Sequence, residues 1–144
     1  MRYKFWIITF TAVTLVACEA TSPLQETHAV AMFRCGPADQ GGTAILLTPD
    51  PISPLHPPTS QVEVMIWESV TTLAGRTWSM NTDTAGAWNI VGGDGLESAT
   101  SGHITVTSVD AAKTVVGSVE LHFPSTTVVT DFNARWVENG VTCP

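Results

Sequence analysis

Two histidines and two carboxylates stand in the C-terminal third of the chain where a sheet would gather them: His103, Glu120, His122 and Asp131. Imidazole and carboxylate are suitable ligands for zinc or another divalent ion. The same groups do general acid–base work when a neighbouring carboxylate raises an imidazole pKa. Their grouping depends on the strands around them. His103–Val109, Thr114–Phe123 and Val128–Val137 each alternate apolar and polar residues, with short turns at Asp110–Lys113 and Pro124–Thr127. Pairing Val109 with Thr114 sets His103 opposite Glu120, with His122 diagonal to it. Pairing Phe123 with Val128 sets Asp131 opposite Glu120 from the other side, within cross-strand reach. The plainer reading is that polar residues must occupy the wet face of a sheet in any case.

Tryptophan is the second resource. Trp67, Trp78 and Trp88 could line an exposed aromatic patch for a peptide, glycan or protein partner. Sandwich cores also consume tryptophan, and Trp136 reads as core. The chain contains no HExxH, P-loop, GxGxxG, GxSxG or SxxK pattern. Gly93-Asp94-Gly95 reads as a tight turn. No catalytic residue is therefore assigned, and the sequence reads as a non-enzyme.

The elements that must position these groups are strands. Alternation of period two puts Ile104 and Val106 inward on one strand of a C-terminal meander. It puts Val115, Gly117, Val119, Leu121 and Phe123 inward on the next, and Val128, Phe132, Ala134 and Trp136 on the third. A one-residue slip would turn each set to solvent, so parity is firmly specified even where register is not. In the simplest register Gly117 faces Ala134 and Val106, leaving a thin place for Trp67 or Trp88 to fill. Upstream, His28–Phe33, Thr43–Thr48, Val62–Glu68, Arg76–Met80 and Ala87–Val91 read as further strands. In Val62–Glu68 the residues Val62, Val64 and Ile66 share one face, while Met65 and Trp67 sit with Glu63 on the other. Pro49, Pro51, Pro54, Pro57 and Pro58 make a stiff, irregular connector that either crosses between sheets or presents a surface. No segment after residue 17 shows a helical apolar period. The expected fold is all-β: an antiparallel two-sheet β-sandwich of about seven to nine short strands, for which an immunoglobulin-like topology is one arrangement.

The amino terminus reads differently. Arg2 and Lys4 precede an apolar run, Phe5–Ala17, of 13 residues. A spanning helix needs about 20, so the run has the form of a secretory signal instead. It closes on Leu15-Val16-Ala17-Cys18, which resembles the lipobox of bacterial lipoproteins. The resemblance implies cleavage before Cys18, a thioether-linked diacylglycerol on its sulfur and an acylated (palmitate-type) amino terminus. Several acyl chains, at about 0.8 kcal/mol per buried methylene, anchor firmly without a basic patch. It also implies a cell-envelope location, with Glu19 after the cysteine matching outer-membrane sorting, facing periplasm or cell surface. The chain then divides into a signal peptide (1–17), a lipidated tether (18–28) and a sandwich domain (29–144). The ladder Gly117-x-Val119-x-Leu121-x-Phe123, followed by Phe132-x-Ala134-x-Trp136 and Cys143, is similar to small lipoproteins of Gram-negative bacteria over residues 102–143. That likeness implies a β-sandwich and brings no catalytic residues.

With Cys18 assigned to lipid, Cys35 and Cys143 remain, and an exported compartment lets them pair. A bridge closing a loop of around 100 residues is worth roughly 4–5 kcal/mol in the chain-entropy model. Loss of residues 1–17 leaves Arg34, Arg76, Lys113 and Arg135 against 13 acidic residues, a net charge of −9. Such a chain repels nucleic acid and anionic lipid headgroups. The expectation is a membrane-anchored, non-catalytic binding or structural module with an envelope protein or glycan as partner and no cofactor beyond its lipid. The alternative is a metal- or small-ligand-binding lipoprotein using the His/Glu/Asp patch.

Overall fold

A computed structural model describes residues 27–36, 40–52, 60–91 and 95–143. The expected signal segment, Cys18 and most of the expected tether lie outside the described residues, as do Pro54, Pro57, Pro58, Gly93 and Asp94. Nine strands follow in chain order: β1 (His28–Cys35), β2 (Gly41–Thr48), β3 (Ser60–Ile66), β4 (Arg76–Ser79), β5 (Ala85–Val91), β6 (Gly95–Ser98), β7 (Ser101–Val109), β8 (Val115–His122) and β9 (Thr127–Val137). The one helical element among the described residues is a 3-10 turn, Val70–Thr72. Strand β6 begins at Gly95, the last residue of the suggested Gly93-Asp94-Gly95 turn, and is not among the strands expected from the sequence. Gly-Leu-Glu-Ser has no alternation to read, and it is a strand because it folds back against β5.

The strands form one mixed, curled sheet in the order β4-β7-β8-β9-β1-β2-β3-β5-β6. All pairings are antiparallel except β1 with β9, which run parallel through Val30–Arg135, Ala31–Trp136 and Met32–Val137. Curling brings both halves onto one core. Ile45, Val64 and Ile66 from one half share a buried cluster with Ile104, Val119, Leu121 and Phe132 from the other. Cys35 and Cys143 form a disulfide with their Cα atoms 5.5 Å apart.

The three-strand meander stands as the alternation predicts, and every residue expected inward on β8 is buried. Register is subtler. The β7–β8 hairpin begins with Val109 opposite Val115, one residue away from the simplest pairing. A bulge between Val106 and Ser108 absorbs the difference, so His103 still faces Glu120. The hydroxyl of the bulged residue, Thr107, donates to the Val116 carbonyl (3.0 Å), replacing ladder pairing lost there. The β8–β9 turn is tighter than expected. His122 pairs with Thr127, and the Phe123 amide donates to the Thr126 carbonyl at 2.8 Å. Every partner on β9 therefore shifts by two residues, which preserves faces but changes neighbours.

Gly117 shows the consequence. It faces Val106 and Phe132, not Ala134, and the Phe132 ring fills the thin place that Trp67 or Trp88 was expected to fill. A Cβ at Gly117 would lie 2.1 Å from the Thr105 carbonyl oxygen and 2.8 Å from the Phe132 ring. Backbone cannot yield as a flexible side-chain tip does. Gly117→Ala should therefore cost about 1–3 kcal/mol in urea unfolding, and an unchanged midpoint would show that β7 and β8 do not approach this closely.

Candidate binding site

Strands β5 and β1 fill the two faces of the sheet unevenly. On β5 the small residues Ala85 and Ala87 and the amide of Asn89 point into the core. Gly86, Trp88 and Ile90 point outward. Size explains the inversion: Val64 and Ile66 of β3 sit beside Ala87 and Ala85 and occupy the interior there. Strand β1 repeats the pattern, with Ala31 fully buried in the core and Val30 and Met32 on the opposite face. By register, Met32 neighbours Ala44, Ala44 neighbours Met65, and Met65 neighbours Gly86 across four strands. The outer face thus carries methionine and tryptophan where a one-sided sheet would carry polar residues, with Met65 buried and Met32, Trp67 and Trp88 half-buried.

Trp67 and Trp88 bound this part of the face. Parity continues from β3 to place Trp67 outward, and Trp88 lies opposite Glu63 on the same face. Both rings lie down against glycines. A Cβ on Gly36 would sit 2.1 Å from the Trp67 ring, and one on Gly86 would meet the Trp88 ring at 3.0 Å. Between the rings runs an open groove of about 210 Å³, floored by Ala85, Gly86 and Ala87 and edged by Asn81, Thr82 and Ser98. Enclosing pockets for drug-sized ligands start near 300 Å³, so this groove fits one inserted side chain or ring. Leu96, 65% exposed on the terminal strand β6, extends the apolar surface towards the sheet edge. Arg34 pairs with Glu63 (3.6 Å) in the same region.

Trp78 is not part of this surface. It is buried at 4% exposure in the core, opposite Ile104. A four-residue strand with one apolar side chain offers no alternation, so its sequence does not say which way the ring points. Its indole N–H donates to Glu68 (3.1 Å), and the Arg76 guanidinium lies 4.8 Å over its ring. Glu68 is the most heavily bonded carboxylate among the described residues. It accepts two hydrogen bonds from Arg76 and one each from Trp78 and Thr72. Its backbone carbonyl also accepts from buried Thr43 at 2.9 Å. The Arg76 hydrogen bonds, then that of Trp78, hold the Glu68 carboxyl below the usual range. This network latches the crossover from β3 to edge strand β4. Sequence reasoning missed it, because Glu68 and Arg76 belong to separate elements and form no motif.

The His/Glu/Asp patch only partly assembles. His103 faces Glu120 across β7–β8, as expected. Asp131 faces Ser118 instead of Glu120, a correction that follows from the two-residue shift of the tight turn. His122 holds Glu120 through Nε2 (3.2 Å) and Thr127 through Nδ1 (3.2 Å), which engages both ring nitrogens. Among the described residues, no group of three or more His, Cys, Asp or Glu side chains is placed to hold a metal ion.

Compared with known proteins, the chain matches no family model, no curated protein and no solved structure.

Two outcomes follow from this geometry. The lowered Glu68 pKa means that its contribution to stability is full above the unfolded-state value. It fades as pH falls through the folded-state value. Glu68→Gln should therefore lose about 1 kcal/mol at pH 7, a figure limited by solvent screening of this partly exposed pair. The gap from the parent should close in acid-unfolding curves below about pH 4. In acrylamide quenching, the readily quenched fluorescence should fall sharply in a Trp67→Phe/Trp88→Phe double variant. A quenchable signal that instead disappears with Trp78→Phe would place the exposed ring elsewhere.

Proposed function

We propose that this chain is a lipid-anchored envelope protein that binds a protein partner through the outer-face band around Trp67 and Trp88. The observation that carries the reading is the inversion on β1 and β5, where small residues fill the core and large apolar ones face outward. Tryptophan, methionine and arginine are the residue types enriched at the centre of protein interfaces. Methionine adapts to irregular partner surfaces. The half-buried Trp67 and Trp88 bound a groove edged by polar Asn81, Thr82 and Ser98, with exposed Leu96 beyond it, and apolar surface rimmed by polar groups is the form an interaction site takes.

The orientation suits an anchored protein. Cys18 lies ten residues before His28, where β1 begins. Strand β1 then runs its eight residues, about 25 Å at 3.3 Å each, to end beside Gly36, against which the Trp67 ring lies. The groove therefore lies at the end of β1 opposite to the one at which the chain arrives from Cys18. The Cys35–Cys143 disulfide agrees with an oxidising, exported compartment. The shared core of the curled sheet supports reading its halves as the two layers of a sandwich. Its wiring differs from the immunoglobulin arrangement: β2 pairs with β3, whereas the second and third strands of that fold lie in opposite sheets. The role is taken as non-catalytic, resting on a solvent-open groove edged by threonine, serine and asparagine without a titratable group.

The test is photocrosslinking in intact cells from residue 67 or 88, followed by identification of the adduct. A protein adduct that is lost in Trp88→Ala supports the reading, and a glycan adduct or none overturns it. Cys18→Ala, fractionated alongside, should move from the membrane to the soluble fraction and lose labelled palmitate. Retention on the membrane would overturn the anchor while leaving the interface to stand on its own adduct.

A further inference from the structure

The C-terminal run after β9 contains Asn139-Gly140, and its geometry points to a chemical modification. We infer that Asn139 is a site of spontaneous deamidation whose conversion loosens the C-terminal clamp. Both residues are exposed. Gly140 has φ +64°, a conformation that glycine adopts without strain, and carries no side chain to shield its amide nitrogen. The Asn139 Oδ1 accepts from the Val141 amide at 3.3 Å, which folds the side-chain carbonyl back over the peptide that follows. The side chain is thereby held on the side of the chain where the Gly140 nitrogen follows.

The chemistry balances with water alone. The Gly140 backbone nitrogen attacks Cγ of Asn139, forming a C–N bond. The Asn139 side-chain nitrogen leaves as ammonia, taking up the proton that the Gly140 nitrogen gives up. The resulting five-membered imide then adds water and opens at either carbonyl, to aspartate or isoaspartate. Nothing is oxidised or reduced.

The consequence follows from what the amide holds. Parallel pairing of β1 with β9 ends at Met32–Val137. One step further, Asn139 Nδ2 donates to the Phe33 carbonyl at 2.6 Å, extending the seam towards the Cys35–Cys143 disulfide. Deamidation replaces that donor with an anionic acceptor facing another acceptor. The bond is lost and repulsion takes its place. Isoaspartate would in addition lengthen the backbone by one carbon at this point. The tail then stays tied to β1 through its disulfide alone.

The remaining described asparagines, Asn81, Asn89 and Asn133, are followed by Thr, Ile and Ala, so they serve as internal controls. The purified full chain is incubated at mildly alkaline pH and mapped by peptide mass. Asn139 should convert several-fold faster than Asn133, which is also exposed, and Gly140→Ala should suppress the conversion. Equal rates at Asn139 and Asn133 would overturn the assignment. For the structural consequence, Asn139→Asp should melt about 3–6 °C lower, with faster reduction of the disulfide by dithiothreitol. Unchanged melting and reduction would show that the amide does not hold the clamp.

Discussion

Three residue pairs join the two halves of this sheet. Val30, Ala31 and Met32 of β1 meet Arg135, Trp136 and Val137 of β9 in parallel, and the strands on either side are otherwise wired within their own halves. A parallel ladder this short is a weak seam by itself. Asn139 extends it by one hydrogen bond, and the disulfide seals it immediately beyond. In the chain-entropy view, closing a loop of about 100 residues is worth roughly 4.7 kcal/mol, a large share of the 5–15 kcal/mol that usually stabilises a domain. The seam also decides where the halves face each other, and so where the core forms.

Crossings between the halves occur at two other places, each tied by side chains. From β3 to β4 the chain passes Glu68, which gathers Arg76, Trp78 and Thr72 and thereby holds the edge strand in place. From β4 to β5 and from β6 to β7 it passes Asn81 and Ala99, joined by a 2.6 Å bond from Asn81 Nδ2 to the Ala99 carbonyl. Asn81 adopts φ +61°, which asparagine tolerates better than most residues. Glu97 of edge strand β6 reaches the other half of the sheet and accepts from Ser125 of the β8–β9 turn at 2.5 Å. An inward-turned charge on a short edge strand discourages pairing with another chain.

What makes the outer face of β1 and β5 distinctive is a trade between the two faces of the sheet. The core beneath β1 and β5 is filled by branched residues from β2, β3 and the opposing half, so alanine suffices there. The larger side chains of the same strands are displaced outward, and glycines at 36 and 86 let the two indole rings lie flat against the sheet. The half-buried Met32, Trp67 and Trp88, with Met65 buried among them, are thus a by-product of core volume.

Much of this was legible in the residues. Alternation marked the meander and its inward sets, because the period of two is a local property that each strand carries within itself. The inward sets survived both register errors: the tight turn at Pro124–Thr127 displaces partners by two residues and keeps faces, and the bulge at Thr107 changes parity only beyond Val106, where Val109 turns to the core. Absence of a helical period and the two cysteines flanking the domain were equally local facts. Other features were settled only by tertiary structure. Asp131 lost its expected place opposite Glu120 because hairpin register depends on turn geometry, which composition leaves open. Trp78 went to the core and Trp88 to the surface because their strands are judged by the volume already present, and that volume comes from residues distant in sequence. The order β4-β7-β8-β9-β1-β2-β3-β5-β6, with its single parallel seam, depends on which free edges meet when the sheet curls, and no one segment of the chain carries that information.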